Sequence, residues 1–401
     1  MKRFLLVGAL GALAVGLWFT VLAAADDGKP DVRSGGDGPL TMAVYGDAPY
    51  SNVAADYTHA PPWNETSEFD ATPAFIQAVN DDHKVKLVLH VGDIHSGKQP
   101  CTFGYDKSIF DLWTQFRDPL IYTPGDNEWA DCHKSGEGGN APYPGGPSGT
   151  YVDYANGNPV ANLGLVRQLF FANPGQALGG DHKQVVSQAQ AYDPAHPADA
   201  EYVENVMWEQ AGVLFVSVNI PGGSNNDADA WYGAGVTAEQ TQEQTQRTAA
   251  DIRWLHAAFA QATADHVGGV VIMAQADMWD LDGKPLTHIA GYEPIISEIA
   301  ADTTAFGNPV LLFNGDSHTF RSDNPLKDNQ PCLTEGGACT TDAYDTHPAL
   351  NTLDVPNFHR IVVHGSTFPL EYLLVSIDTT HPPAPSSTSF GPFSWERVQP
   401  S

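Results

Sequence analysis

Basic residues are scarce in this 401-residue chain: 19 Lys and Arg stand against 48 Asp and Glu, a formal charge of −29. A surface that negative repels nucleic-acid phosphates and anionic headgroups, so neither is a partner class. The same acidic excess suits solubility in salt. Cysteine is also sparse. Cys101, Cys132, Cys332 and Cys339 contain no C-x-x-C pair, which argues against thiol redox catalysis. Past the N-terminus no apolar run approaches transmembrane length, and no internal repeat is visible.

One apolar run is long. Lys2 and Arg3 precede the almost wholly apolar stretch from Phe4 to Leu22, and Ala23-Ala24-Ala25 is a small-residue cleavage site. This reads as a signal peptide over residues 1–25, with an uncleaved anchor as the alternative. Export implies a secreted, periplasmic or extracellular protein, in which disulfides are the default use of cysteine. Four cysteines allow three pairings. Proximity favours 101–132, on neighbouring strand ends, and 332–339, close together in one loop. Asn64-Glu65-Thr66 is a glycosylation sequon in a host that glycosylates.

Residues 26–39 read as a flexible linker. A β–α alternation then begins, with strands at 40–46, 85–92 and 119–124 and helices near 71–82 and 106–117. Residues 133–160 are Gly-, Pro- and Asn-rich and read as a long loop, followed by an irregular insert to about 210. Strand 212–219, a helix at 237–265 with Ile252, Leu255 and Phe259 as its buried stripe, strand 268–275, a helix near 292–303 and strand 309–314 continue the pattern. Two last strands fall at 358–364 and 370–377, a C-terminal tail covers 381–401, and its stretch PPAPSSTSFGP reads as loosely ordered. The alternation points to one layered α/β domain over residues 40–380.

Four apolar runs end in Gly-Asp: MAVYGD at Asp47, VKLVLHVGD at Asp93, PLIYTPGD at Asp126 and PVLLFNGD at Asp316. In an open α/β sheet the carboxyl ends of the strands share one rim, where ligands bind. Glycine permits a sharp turn as the strand stops. Carboxylates gathered on one rim repel each other unless a cation lies among them, so the pattern is a metal-site signal.

The order Gly-Asp, G-D-x-x, G-D-N-E, G-D-S-H resembles the calcineurin-like metallophosphoesterases, which include the purple acid phosphatases. Their pattern is D-x-H, G-D-x-x-[DNY], G-N-H-[DE], a lone His and G-H-x-H, at strand ends of a four-layer αββα sandwich. The resemblance implies that fold here, with Asp47 on a first metal, Asp93 bridging two metals and Asp126 on the second. It also puts Asp316 on the second metal and His318 on the first. The lone-His position falls where the chain offers Gln275 and Asp277. Asn127 takes the place of the His that contacts phosphate. Pro49 replaces the His of D-x-H, a vacancy open to His95, Tyr50 or both. Ser96 stands where purple acid phosphatases carry an iron-binding Tyr, so Fe(III) chemistry is not implied.

The resemblance thus implies a metal-dependent phosphoesterase acting on a small phosphate ester, with two divalent ions. Oxygen-rich ligation favours Mn²⁺, Mg²⁺ or Ca²⁺ over Zn²⁺, with iron left open. Four carboxylates cancel the charge of two such ions, which disfavours a dianionic monoester and favours a diester or another ester of low charge. Within that chemistry Asn127 is a hydrogen-bond donor to the phosphoryl group and His95 the acid or base. Arg321 and Lys98 are candidate phosphate clamps, while Glu128 and Trp129 support the loop. Two rival readings remain. One is a scaffold that binds metal without turnover. The other is a serine esterase of GDSL type, with Ser317 as nucleophile and Asp378-Thr379-Thr380-His381 as its D-x-x-H.

Overall fold

Along the strand Val310–Asn314 neighbouring side chains join different cores: Val310 and Leu312 enter one, Leu311 and Phe313 another. A strand buried on both faces belongs between two other layers. The computed structural model describes residues 31–36, 38–50, 68–137, 139, 157–233, 235–281 and 284–400. The expected signal peptide, the sequon at Asn64 and most of the loop 133–160 lie outside the described residues.

In chain order the first strands are β1 (Leu40–Tyr45), β2 (Val85–His90), β3 (Pro119–Tyr122), β4 (Leu178–Gly179), β5 (Val186–Ser187), β6 (Val206–Gln210), β7 (Val213–Ser217) and β8 (Val270–Met273). They are followed by β9 (Val310–Asn314), β10 (Arg321–Asp323), β11 (Leu333–Thr334), β12 (Gly337–Ala338), β13 (Phe358–Val362), β14 (Tyr372–Ile377), β15 (Ser389–Phe390) and β16 (Phe393–Val398). One sheet has the order β15-β16-β14-β1-β2-β3-β4, the other β12-β11-β10-β13-β9-β8-β7-β6-β5. Each has a parallel centre: β1, β2 and β3 in the first, β7, β8, β9 and β13 in the second.

Helices α1 (Glu68–Asp81), α2 (Phe103–Trp113) and α3 (Pro159–Phe170) cover the first sheet, and α4 (Ala238–Ala264) and α5 (Glu293–Phe306) the second. Between the sheets Val44, Leu89, Phe215, Met273, Phe313 and Val375 interdigitate. The result is a four-layer αββα sandwich, as the motif order implied. Leu255 and Phe259 of α4 are buried as expected, and Ile252 packs at the margin of the same core. Thr237 caps α4 by accepting the Gln240 N–H. Among the described residues no helix is long and apolar enough to cross a membrane.

Two expectations fail at the edges. The described part of the linker is docked: Glu209 N–H donates to Val32 O at 2.7 Å, Ser34 N–H to Glu209 O, and Val32 is buried. The end of the stretch PPAPSSTSFGP forms β15 against β16, and β16, just beyond it, pairs along its length with β14 and buries Phe393 and Trp395. In both cases a sheet edge satisfied backbone groups that local composition left unassigned. The insert also yields β6, which pairs with β7, and β5 at the edge beyond it.

Register brings the motifs level. Tyr45 lies opposite His90, and His90 opposite Tyr122, so β1, β2 and β3 end together just before Asp47, Asp93 and Asp126. In the second sheet Met273 lies opposite Phe313, which aligns Gln275 with the turn carrying Asp316. Both disulfides form as proximity suggested. Cys101–Cys132, with a Cα separation of 5.7 Å, ties the loop after Asp126 to the start of α2, and Cys332–Cys339 closes the hairpin β11–β12.

Candidate metal centre

Three of the motif aspartates sit in left-handed backbone: Asp47 at φ 47°, Asp93 at 58° and Asp316 at 76°, and His318 follows at 61°. Each such residue costs about 1 kcal/mol or more, and it persists only when its surroundings hold it there. Glu128 supplies much of that hold. Its Oε1 accepts the Tyr122 hydroxyl at 2.5 Å and the Gly125 N–H at 2.6 Å, and Oε2 accepts the Ile94 N–H at 3.4 Å. One buried carboxylate thus staples the turn after β2 to the turn after β3. Glu128 is a support, as its place in G-D-N-E suggested.

The two sheets meet at Asp47. Its Oδ1 accepts the Asp316 N–H at 2.8 Å, and its Oδ2 is buried with no hydrogen-bond partner. Leaving a buried carboxylate oxygen unpaired is costly, unless a cation takes it. Donor atoms of Asp47, Asp93 and His318 all lie within 4.8 Å of one another. Tyr50 completes this half: its hydroxyl donates to Asp93 Oδ2 at 3.2 Å and lies 3.2 Å from His318 Nε2. Of the two candidates for the position that Pro49 vacates, Tyr50 is therefore the one at the site.

The other half is arranged differently. Gln275 Oε1 accepts the Gly222 N–H at 2.5 Å, which fixes the side-chain amide. Its Nε2 then donates to Asp93 Oδ2 at 3.0 Å and Asp126 Oδ1 at 2.9 Å. Gly222 leaves room for this approach: a Cβ there would fall 2.5 Å from Asp126 Oδ2 and 2.8 Å from Asp316 Oδ1. Asp316 Oδ2 accepts the Asp277 N–H. Asp277, the other residue offered at the lone-His position, is held by the fully buried Arg360 guanidinium at 2.5 Å and by Ser317 Oγ at 2.8 Å.

Burial dominates the electrostatics. Desolvation pushes Asp47 up to about 8, with the Asp126 charge adding to it. It pushes Asp126 up to about 7, with Asp131 raising and Lys134 lowering. Asp93 and Asp316 stand well above the usual carboxylate range, from burial first and the neighbouring Asp126 second. Burial and the Asp93 and Asp47 charges hold the Tyr50 phenol neutral.

Several assigned roles move. The His95 ring lies against Tyr105 and bonds Ser96 O, and burial lowers it to about 4, so it is no ready proton donor. What His95 offers the site is its carbonyl, which accepts from Asn127 Nδ2 at 2.9 Å. Asn127 Nδ2 also donates to the Tyr50 hydroxyl at 3.2 Å, so the amide positions Tyr50 with the hydrogens expected to reach phosphate. Arg321 is drawn away by Asp323 and Thr341 O, and Lys98 is exposed. The serine arrangement is not assembled. Ser317 Oγ donates to Asp277, while Ile377, next to Asp378, pairs with Leu40 at the opposite end of β1 from the rim.

Beside Asp126 and Asp316 opens a cavity of about 100 Å³, also lined by Asp131, Lys134, Asp229 and His288. Lys134 pairs with Asp131 at 2.5 Å and Asp229 at 3.5 Å, and His288 Nδ1 lies 3.5 Å from Asp229 Oδ1. Neither Lys134 nor His288 belongs to a strand-end motif, so nothing in the sequence marks them. A larger cavity, about 680 Å³, is lined by Lys86 and Pro119 at the starts of β2 and β3, far from the carboxylates.

The sequence model of the calcineurin-like phosphoesterase family matches residues 44–240, a span that includes Asp47, Asp93 and Asp126. This match places residues 44–240 in the calcineurin-like phosphoesterase family. No curated protein matches the sequence. Among solved structures, a purple acid phosphatase isolated from yellow lupin (Lupinus luteus) seeds is similar at a TM-score of 0.38 and 13% identity, over 92% of this chain and 55% of that one. The chain spans little more than half the length of that phosphatase. Membership in the calcineurin-like phosphoesterases implies a dinuclear metal centre. The Asp47, Asp93 and His318 half fits a cation, on the strength of the orphaned Asp47 oxygen. The Gln275 half does not fit as arranged, because an N–H donor faces the carboxylates.

Proposed function

We propose that this protein is an exported hydrolase of phosphate esters, dependent on a divalent ion held by Asp47, Asp93 and His318. The buried, unpartnered Asp47 Oδ2 is the observation that carries the reading. Aspartate oxygens and one imidazole suit Mn²⁺ best among the hard divalent ions. Such an ion, when bound, supplies Lewis acidity and lowers the pKa of water. Tyr50, fixed by Asn127, presents a neutral hydroxyl beside Asp93 and His318. Lys134 brings positive charge and His288 an imidazole to the adjacent cavity. His288, oriented by Asp229, is the group placed to give a proton to the leaving oxygen. Export accords with two disulfides.

The cavity wall also includes Asp126, Asp131, Asp229, Asp277, Asp280 and Asp316. So many carboxylates repel a dianionic monoester more than a monoanionic diester. The test is hydrolysis of bis(p-nitrophenyl) phosphate and p-nitrophenyl phosphate by Mn²⁺-loaded protein. Diester turnover is expected to exceed monoester turnover and to vanish in Asp93→Ala. Equal or faster monoester hydrolysis would refute the substrate class. Bound metal with no turnover of either ester would refute the enzyme reading in favour of an inert scaffold.

A further inference from the structure

The two halves of the rim differ in what they present to a cation. At Asp47, Asp93 and His318 two carboxylates and an imidazole nitrogen converge, and one oxygen, Asp47 Oδ2, is buried without a partner. At Asp126 and Asp316 the space toward Asp93 is spanned by the Gln275 amide. Exchanging the amide oxygen and nitrogen would set the Gln275 NH2 against the Gly222 N–H at 2.5 Å, donor against donor. The Gly222 N–H therefore locks the orientation, and both Nε2 hydrogens have carboxylate acceptors. Among the described residues, no group of Asp93, Asp126 and Asp316 oxygens closes to 4.8 Å, as the Asp47, Asp93 and His318 atoms do. Asp316 Oδ2 is engaged by the Asp277 N–H, and the Lys134 ammonium shares a cavity wall with Asp126.

We infer that this chain holds a single catalytic metal ion, and that the Gln275 amide occupies the second position as an internal hydrogen-bonding bridge. The inference rests on the metal-dependent reading above. Gln275 is a positioning residue in this account: it ties Asp93, from one sheet, and Asp126 to the Gly222 turn of the other. A neutral donor between two carboxylates offsets their repulsion without bringing in two positive charges. A carboxylate at the same place accepts the Gly222 N–H with one oxygen and offers a lone pair with the other, whereas an imidazole that accepts that N–H keeps its own N–H toward the carboxylates.

The test is metal stoichiometry. Full-length protein, equilibrated with excess Mn²⁺ and freed of unbound ion, is measured by elemental mass spectrometry and electron paramagnetic resonance. The wild type is expected to hold one equivalent with an uncoupled Mn²⁺ spectrum. Gln275→Glu is expected to hold two, with the broadened signal of a coupled pair, and Gln275→His, which keeps an N–H toward the carboxylates, is expected to hold one. Thermal melts of each variant verify that it is folded. Two equivalents in the wild type would overturn the single-ion inference and leave the metal-dependent reading intact. Zero equivalents would overturn both. One equivalent in wild type and in folded Gln275→Glu would overturn the role given to Gln275.

Discussion

The backbone N–H of Asp316 donates to the side chain of Asp47 across 269 residues of sequence, at 2.8 Å. This one bond joins the carboxyl end of β9 to that of β1, and so one sheet to the other. It also distinguishes the two oxygens of the Asp47 carboxylate: Oδ1 holds the rim together, and Oδ2 is buried without a partner.

Asp47→Asn separates the roles of those two oxygens. The amide oxygen still accepts from Asp316, so the melting temperature of the metal-free protein is expected to hold or rise as a buried charge is lost. Mn²⁺ affinity is expected to fall by more than the roughly 10–100-fold that follows loss of an outer-shell partner. Calorimetric titration beside a thermal melt decides it. Unchanged affinity would remove Asp47 from the metal site.

Glu128→Gln probes the staple between the turns. Three donors converge on two carboxylate oxygens, and an amide puts an N–H toward at least one of them. The expected cost is about 1–3 kcal/mol in urea unfolding, the desolvation penalty of a buried donor left unpaired. Turnover is expected to fall with it, since Asp93 and Asp126 both lie on the stapled turns. A variant as stable as wild type would show that the left-handed aspartates are held by other contacts.

Ser317→Ala separates metal from serine chemistry. The hydroxyl bonds Asp277, whose carboxylate keeps the Arg360 pair, so ester hydrolysis is expected to stay within about tenfold of wild type. Removing an activated serine nucleophile costs on the order of 10⁶ in kcat. Steady-state kinetics on the same ester distinguishes these outcomes without ambiguity.

The stability of the metal-free protein should fall as pH rises. Asp47 and Asp126 titrate near the ordinary 3.8 when unfolded, and burial pushes them up to about 8 and about 7 in the fold. Raised folded-state values mean that this stability is fully present below about pH 4 and is lost as pH climbs through 7 to 8. A divalent ion that binds the ionised carboxylates reverses the loss. The rise in melting temperature on adding Mn²⁺ is therefore expected to be small at pH 5 and to grow toward pH 8. A shift that is flat or declining over that range would contradict the account.

Local pattern reached far into this protein. Alternating apolar strands ending in Gly-Asp, each followed by a helix-forming stretch, define the β–α order, because strand burial and sharp turns leave their marks within a few residues. Asp47, Asp93, Asp126, Asp316 and His318 were nameable for the same reason: all follow strand ends whose register the hydrophobic pattern sets. Tertiary structure decided everything that depends on which neighbour claims a polar group. Nothing near residue 275 in the chain says that Gly222 will turn its amide, or that Tyr50 and not His95 will meet Asp93. Arg321 became half of an ion pair because Asp323 lay beside it, and Lys134 and His288 reached the rim from segments without a motif, His288 from the short helix Leu286–Ile289. Even the tail became β16 only because β14 had an open edge. Hydrogen-bond donors are satisfied by whatever the fold brings within 3 Å or so, and that distance is not written in sequence separation.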